Sequence, residues 1–503
     1  MSVPHHAIRE TQDRSWTLRL LERLRLPDLD GDERGAISET LAQLQDPRAT
    51  APLTAIVESR ELPAALREDA GRLLRDTGNP PPSAKLHAWW TEGDIILQRH
   101  ALLSMDHADA DVVERVARDP AHPLHREAIL VMEWGFEEPR FQALKIAALG
   151  HPDPLVRASA ASVLHWDEPV SAEEALLRAI TDPVVDVAVE ALRTLYYYPS
   201  RRCLRAVAPL RDHQDDRIRD DAGQCVMEIA RAFRLALQDA SPDERTFLTS
   251  WMEPVRELVD LPDEDPETPE PFMAIEPTSV PVPYTADEII ALYADPDGPW
   301  AEKLDRLRKR GAAVPCAADR SRLVSFFLGH ADPAIREHAA AIFSRWNDVP
   351  ALLELCRDPA FLVRKCAMYE VGQTSPNPDL SAFIWEHLLA AGTTSTHASE
   401  TLGAYIVHAP RAESVSRLSH LVRADPRESV RRHAVQGLAE FGAAAEIEGL
   451  LPLLEDPPRV TWSVHMALLD ACKKLSLRPV GLRDLQCVDH VAVQAAIAPF
   501  LVR

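Results

Sequence analysis

Apolar residues between His151 and Trp166, in HPDPLVRASAASVLHW, recur with the spacing of one buried helix face. They stand at positions i, i+4, i+7 and i+8 of an amphipathic helix: Val156, Ala160, Val163 and Leu164. Asp153 and Pro154 precede them. An aspartate accepts a backbone N–H that a helix start leaves unpaired, and proline fits the first helical position, where no donor is needed. The pattern predicts a helix that begins at this Asp-Pro pair.

From Leu124 to Ile218 the same stripe returns at intervals of roughly 28 to 34 residues, and from Ile335 to Val460 at similar intervals, the mark of a repeat array. The first apolar residue of each copy, called the anchor below, is Leu66, Leu124, Val156, Val184, Ile218, Ile335, Val363, Ala398, Val430 or Val460. The intervals also contain a second short apolar segment, such as EEALLRAI or VPALLELCRD. Each repeat is therefore predicted to be a pair of helices, one of which is the anchor helix.

DPLVRASAASVL, DPAIREHAAAIF and ESVRRHAVQGL resemble HEAT repeats of the armadillo-like superfamily, in particular the short HEAT-like repeats of phycobilisome lyases. The resemblance covers most of 40–240 and 325–475. It implies an all-α, right-handed α-solenoid. HEAT-like arrays serve as scaffolds, adaptors, regulators and a few enzymes, so the resemblance implies a fold more than a function.

Proline and acidic residues are dense between Glu253 and Glu288, where the apolar period is weak. Such a composition is typical of a stiff extended linker or a partly disordered segment. We expect a linker at 251–287 between an N-terminal HEAT-like block, 1–250, and a C-terminal one, 288–503.

Composition narrows the classes of function. With 46% hydrophobic but only 6% aromatic residues, the core is built mainly from Ala, Leu and Val. A net charge of −23 disfavours binding to nucleic-acid phosphates. The seven cysteines are scattered without a CxxC pair, which favours reduced core thiols in a cytoplasmic protein. No apolar run is long enough to predict a membrane span, and the first residues lack the apolar region of a secretory signal. The Ala, Pro and Arg usage suggests a GC-rich bacterial genome.

Arginine often follows the anchor: Arg67, Arg157, Arg219, Arg336, Arg364 and Arg431. One interpretation is a ladder that binds phosphates or acidic peptides. The other, implied by the HEAT-like resemblance, pairs each arginine with an Asp-Pro aspartate or another carboxylate of an adjoining repeat. The second is favoured, because this position is elsewhere filled by His125, Val185, Ser399 and Thr461.

The residue two positions after each anchor is expected to face the concave surface. These residues are Glu68, Arg126, Asp186, Asp220, Glu337, Lys365, Arg432 and Trp462. Their mixed charges suit a protein partner better than a polyanion. The alternative, that these residues form only a solvated helix face, stays open. Arg126, Lys365 and Arg432 are the candidate contacts.

Aromatic residues near helix ends and in HAWW and LYYYP are further candidates, either as interface anchors or as packing against a turn. These are Trp89, Trp90, Tyr196, Tyr197 and Trp346.

Signatures of catalysis are missing from the sequence. The His-Glu dipeptides of HEAT-like di-iron hydroxylases do not occur, and Glu337-His338 and Glu386-His387 are reversed. GxSxG, GxxxxGK[ST] and HExxH are also missing. We therefore predict no catalytic, cofactor-binding or metal-binding residues. The leading function is a non-enzymatic scaffold or adaptor that binds another protein or an extended peptide. A lyase- or chaperone-like factor for a cofactor-bearing protein, and a nucleic-acid-binding repair or regulatory protein, are the alternatives.

Overall fold

A computed structural model provides the coordinates. It describes residues 3–26, 29–78, 81–105, 109–133, 136, 138–165, 170–238, 240–258, 285–294, 317–389, 395–455, 462–479 and 482–502. Across these residues the regular secondary structure is helical and no strand is present, which confirms the all-α prediction. The predicted right-handed twist stays a prediction.

The first half of the chain supplies sixteen of the described α-helices. Up to residue 105 they are α1 His5–Thr11, α2 Thr17–Leu24, α3 Gly31–Leu44, α4 Thr50–Glu58, α5 Ala64–Asp76, α6 Ser83–Glu92 and α7 Ile95–Leu102. They continue as α8 Ala110–Ala117, α9 His125–Val131, α10 Pro139–Ala148, α11 Pro154–Ser162, α12 Val170–Ala179, α13 Val185–Leu195, α14 Arg201–Val207, α15 Asp216–Gln238 and α16 Pro242–Met252.

The second half continues the alternation of helices and short turns. Its first helices are α17 Ala286–Ala294, α18 Ala317–Leu328, α19 Pro333–Trp346, α20 Val349–Leu355 and α21 Phe361–Val371. The remainder are α22 Ser381–Leu389, α23 Ser395–His408, α24 Arg411–Ala424, α25 Glu428–Glu440, α26 Ala444–Glu448, α27 Trp462–Leu475, α28 Leu482–Gln486 and α29 Val491–Leu501.

The chain divides into two compact units, each made of two stretches of sequence. The first unit combines Met1–Met105 with Pro271–Asn377, and the second combines Asp106–Glu270 with Pro378–Arg503. Each unit thus draws on both predicted blocks, whose boundaries stay a prediction. Most of the predicted linker, 259–284, lies outside the described residues.

Helix α11 is the one predicted from the stretch that begins at His151. Asp153 precedes it and accepts the Leu155 backbone N–H at 2.9 Å, while Pro154 is its first residue. The predicted stripe is buried: Val156 is 4% exposed, and Ala160, Val163 and Leu164 are 1% exposed or less. The predicted start and the predicted core face are both confirmed.

Other Asp-Pro aspartates bond in the same way, although the α-helix does not always follow at once. Asp332 accepts the Ala334 N–H at 2.9 Å, and α19 begins at Pro333. Asp182 accepts the Val184 N–H at 2.9 Å, but α13 begins only at Val185. The aspartate therefore fixes the turn, and the residues after it decide where the helix begins. The equivalent pair at 456–457 lies outside the described residues.

A histidine two residues before the aspartate completes two of these Asp-Pro turns and one Asp-Asp turn. The Nδ1 atoms of His151, His213 and His330 each accept the backbone N–H of the aspartate two residues later, at 3.1 Å. An accepting Nδ1 carries no proton, so the ring proton sits on Nε2. Nε2 of His151 can then donate to the Pro120 carbonyl, 3.1 Å away and one repeat earlier. The histidine thus ties its own turn to the preceding one.

Arginine–aspartate pairs join consecutive repeats, as the structural interpretation of the ladder predicts. Arg157 donates from Nε and Nη2 to Asp182 at 2.7 and 2.9 Å, and from Nη1 to the His151 carbonyl at 2.9 Å. Arg336 binds Asp358 at 2.6 and 2.9 Å, and its Nη1 binds the His330 carbonyl at 2.7 Å. Each guanidinium therefore locks its own turn and the next one together.

The other ladder arginines show how the pattern varies. Arg67 binds Asp94, which caps α7, at 2.7 Å. Arg219 instead pairs with Asp216 of its own helix start, so the prediction of a partner in an adjoining repeat does not hold there. Arg364 donates to the carbonyls of Asp358 and Pro359 at 2.8 and 2.9 Å. For Arg431, the Asp-Pro aspartate of the following repeat lies outside the described residues.

Each unit also contains an ion pair between its two sequence stretches. In the first unit, the buried guanidinium of Arg14 binds Asp332, and it also donates to the Leu44 and Gln45 carbonyls at 2.9 and 2.8 Å. In the second unit, Arg201 Nε donates to Asp489 Oδ1 at 2.7 Å.

Among the described helices, none has the length and apolar character needed to cross a membrane.

Candidate protein-binding surface

Charged residues on the anchor helices pair with residues of a neighbouring helix. In the second unit Asp186 on α13 accepts from Arg217 on α15 at 2.7 Å, and Arg193 Nε donates to Asp221 at 3.2 Å. In the first unit Glu68 on α5 pairs with Arg99 on α7. The mixed charges that suggested a protein partner are therefore used in part to hold adjacent repeats together.

Arg126, Lys365 and Arg432 occupy equivalent positions but different surroundings. Arg126 is exposed on α9, and its Nε donates to Ser159 Oγ on α11 at 2.9 Å. Lys365 is half-buried on α21 of the first unit. Arg432 is half-buried on α25 of the second unit and lines a cavity of about 240 Å³. Arg126 thus contributes to repeat packing, whereas Lys365 and Arg432 border features that a partner could contact.

Helix α21 exposes two large apolar residues on the face that carries Lys365. Leu362 is 53% exposed and Tyr369 is 50% exposed. Positions 362, 365 and 369 follow the i, i+3, i+7 spacing of one helix face. The opposite face is buried, with Val363, Ala367 and Val371 each 0% exposed. We call Leu362, Lys365 and Tyr369 the α21 stripe.

Trp89 lies in the core of the first unit, at 4% exposed. Its Nε1 donates to Glu58 Oε1 at 2.8 Å, and Lys85 Nζ binds the same oxygen at 2.8 Å. Burial acts to raise the pKa of Glu58, but the hydrogen bonds from Lys85 and Trp89 outweigh it and lower that pKa. Trp90 packs at the edge of the same core. Trp89 and Trp90 therefore serve packing, as the alternative interpretation proposed.

Tyr196 and Tyr197 of the LYYYP cluster differ in burial, and each fits a different one of the two interpretations. Tyr196 packs against the core of the second unit, and its hydroxyl lies 3.0 Å from Asp221 Oδ1 on α15. Burial and the Asp221 carboxylate raise the pKa of Tyr196. Tyr197 is 53% exposed, with its ring centroid 5.5 Å from that of His165. Of the two, Tyr197 has the surface that a partner could contact.

Trp346 closes the end of α19. Its ring lies 6.0 Å from Phe343 of the core, and the Arg320 guanidinium sits 5.5 Å above the ring. Its Nε1 is buried and has no hydrogen-bond partner among the described residues. Packing against the helix end therefore accounts for Trp346 better than a contact with a partner.

Sequence reasoning missed Leu362 and Tyr369. The signal was present, because both are apolar and both fall outside the buried stripe that starts at Val363. In the described part of the chain, no group of three or more His, Cys, Asp or Glu side chains is placed so that it could hold a metal ion.

No family model matches the chain, and no curated protein matches it. Among solved structures, human deoxyhypusine hydroxylase in complex with glycerol matches at 16% identity and a TM-score of 0.26, over 45% of this chain and 96% of that one. Importin β matches at 12% identity and a TM-score of 0.28, over 98% of this chain and 65% of that one. Kap95p, in a structure with RanGDP, matches at 13% identity and a TM-score of 0.28, over 94% and 68%.

Identities and TM-scores this low say nothing about activity or partners. The fold follows from the chain's own geometry: Asp-Pro turns recur, anchor helices pack side by side, and arginines bind the aspartate of the next repeat. The chain is an all-α protein built of repeated helix pairs, the fold that its HEAT-like repeat sequences predict.

Proposed function

We propose that this protein is a non-enzymatic scaffold or adaptor that binds another protein through the anchor helices. The observation that carries the proposal is the α21 stripe. Leu362 and Tyr369, each at least half exposed, flank Lys365 on a helix whose other face is fully buried. Leucine, tyrosine and a cation on two turns of one helix match the apolar-plus-polar composition of protein interfaces.

The stripe has the dimensions of a helix or peptide contact. Seven residues of α-helix span about 10 Å, so Leu362 and Tyr369 could engage side chains two turns apart on a partner helix. Single exposed apolar residues are ordinary on protein surfaces. Here two of them share one face with a lysine, and the lysine favours a partner with a carboxylate at that point.

The repeat architecture supports the same function. Each repeat contacts mainly its neighbours, so an array presents a long surface without a central active site. The arginine–aspartate pairs fix the spacing between repeats, which keeps such a surface rigid before a partner arrives.

The experiment is affinity capture from the native cell extract followed by mass spectrometry. The test variant is Leu362→Ser/Tyr369→Ser. The control is Leu18→Ser, because Leu18 is 50% exposed on α2 and outside the stripe. The proposal predicts partners captured by wild type and control but lost by the folded double variant. Capture of the same partners by all three proteins would contradict it.

A further inference from the structure

A cavity of about 240 Å³ lies within the second unit, between α25, α27 and the start of α29. Its apolar lining comes from Met466, Ala467, Ala492 and Val493. Its polar lining comes from Arg432, Gln436, Ser463, Asp470 and His490. The volume is below that of ordinary drug-sized pockets, so it suits a ligand the size of a short peptide.

The polar groups of the cavity come from both of the long helices that line it. Arg432 and Gln436 are one turn apart on α25. Ser463 and Asp470 are two turns apart on α27, about 10 Å by helix geometry. Met466 and Ala467 lie between them on the same helix. Along α27 the lining is therefore polar, then apolar, then polar again.

The charges of the lining differ from place to place. Burial lowers the pKa of His490 to about 4, so its ring is neutral at pH 7. Its Nδ1 accepts the Ala492 N–H at 3.3 Å, at the start of α29. Arg432 is then the cation among the described lining residues, and Asp470 is the anion. A ligand that carries both a carboxylate and an ammonium group can pair with both of them.

We infer that this cavity binds a dipolar ligand of di- or tripeptide size. The ligand's carboxylate lies on Arg432, its apolar middle covers Met466 and Ala467, and its ammonium lies on Asp470. An arginine is suited to a carboxylate because its planar donors can bind both oxygens. The carboxylate can belong to a free peptide or to the C-terminus of a longer one, although a longer chain carries its ammonium elsewhere.

This inference goes beyond the proposed function and is independent of it, because the α21 stripe belongs to the other unit. Loss of partner capture would leave peptide binding here untouched, and the reverse also holds.

The test uses trialanine as the probe and saturation-transfer NMR titrations with the full-length protein. Three comparisons dissect recognition: trialanine amide lacks the carboxylate, N-acetyl-trialanine lacks the ammonium, and hexa-alanine moves the ammonium out of reach of Asp470. We expect trialanine to bind saturably, and the amide to bind about tenfold more weakly or worse. Weaker binding of the acetylated and hexa-alanine probes would identify a free short peptide. Equal binding of hexa-alanine would identify a polypeptide C-terminus and overturn the role of Asp470.

Variants of the protein test which residue binds the carboxylate of the ligand and which binds its ammonium. Arg432→Gln should weaken trialanine binding about tenfold without weakening the amide further. Asp470→Asn should weaken trialanine but leave the N-acetyl form unchanged. Lys474→Gln is the control, since Lys474 lies on α27 outside the cavity lining and pairs with Glu440. The inference is overturned if trialanine does not saturate, if Arg432→Gln binds it as well as wild type does, or if equimolar inorganic phosphate displaces it.

Discussion

Arg201 and Asp489 are 288 residues apart in sequence, yet Nε of the arginine donates to Oδ1 of the aspartate at 2.7 Å. The other oxygen of Asp489 accepts the Arg202 backbone N–H at 2.7 Å. The Asp489 carboxylate therefore accepts a backbone N–H at the start of α14, as an Asp-Pro aspartate accepts one in its own turn. Immediately after it, the Val491 N–H donates to the Pro199 carbonyl at 3.0 Å, and the Val491 side chain joins the core of the second unit. The last described helix thus completes a core that begins far earlier in the chain.

Replacing Asp489 with alanine should loosen this closure. Loss of the bond to the Arg202 N–H and of the pair with Arg201 is expected to cost about 1–2 kcal/mol of unfolding free energy. Hydrogen exchange followed by mass spectrometry should show faster exchange at both 201–204 and 491–498. The control is Asp186→Ala, whose carboxylate pairs with Arg217 in the open, with both side chains more than half exposed. Unchanged exchange at either segment of Asp489→Ala would contradict the closure.

Breaking a buried ladder pair should destabilise the first unit strongly. Arg336 and Asp358 have side chains only 10% and 6% exposed, so Arg336→Met leaves a buried carboxylate without its partner. Such changes cost about 3–5 kcal/mol. Calorimetry should show a clear fall in Tm. Arg178→Met, which removes an exposed pair with Glu174, should change stability by less than about 0.5 kcal/mol. Equal effects of the two variants would contradict a structural ladder.

Gly71 is required by the packing of α5 against α7. A Cβ atom at this position would lie 2.2 Å from the ring of the buried His100. Gly71→Ala should therefore destabilise the protein by about 1–3 kcal/mol, because the ring must move within a filled core. At Gly223 on α15 a Cβ atom would meet no other atom within 4 Å, so Gly223→Ala should be neutral or stabilising by up to about 1 kcal/mol. Comparable Tm values for the two variants would contradict this account.

His100 should make stability depend on pH. Burial, and next the guanidinium of Arg75, lower the pKa of His100 to about 3, against 6.5 for an ordinary histidine. Its Nδ1 lies 2.6 Å from Arg75 Nη1, which fixes a neutral ring. The unfolded chain binds the proton below pH 6.5 while the folded chain does not. The stabilisation is therefore complete above that pH and is lost towards pH 3, by up to about 1.4 kcal/mol per pH unit.

Urea unfolding between pH 7 and pH 4 measures this dependence. His100→Asn should flatten the fall in unfolding free energy as the pH drops, whereas His6→Asn, at a side chain 80% exposed on α1, should keep the wild-type slope. A slope that His100→Asn leaves unchanged would contradict a neutral buried ring.

Local features of the fold could be predicted because they depend on neighbours in sequence. Val156, Ala160, Val163 and Leu164 are buried together because helix geometry alone puts them on one face. The pairing of Arg157 with Asp182 was also accessible, since one repeat separates them. The histidine of the turn was missed, although HPDP, HADP and HQDD repeat its spacing from the aspartate.

Contacts over long sequence separations could not be predicted in this way. Nothing periodic connects Arg14 with Asp332, 318 residues later, because the pair forms only after two distant stretches pack into one unit. Arg219 departed from the ladder because Asp216 offers a nearer carboxylate on the same helix start. Trp89 looked like an interface anchor, but Glu58, 31 residues earlier, satisfies its indole and lets it enter the core.

The most direct test of the central proposal is site-specific photocrosslinking in living cells. A benzoylphenylalanine residue is placed at Leu362, in the α21 stripe, or at Leu18, which is equally exposed elsewhere in the same unit. The account predicts a discrete crosslinked protein from position 362, abolished by Lys365→Glu/Tyr369→Ser, and no such product from position 18. No discrete product at 362, or the same product at both positions, would contradict a protein-binding role for α21.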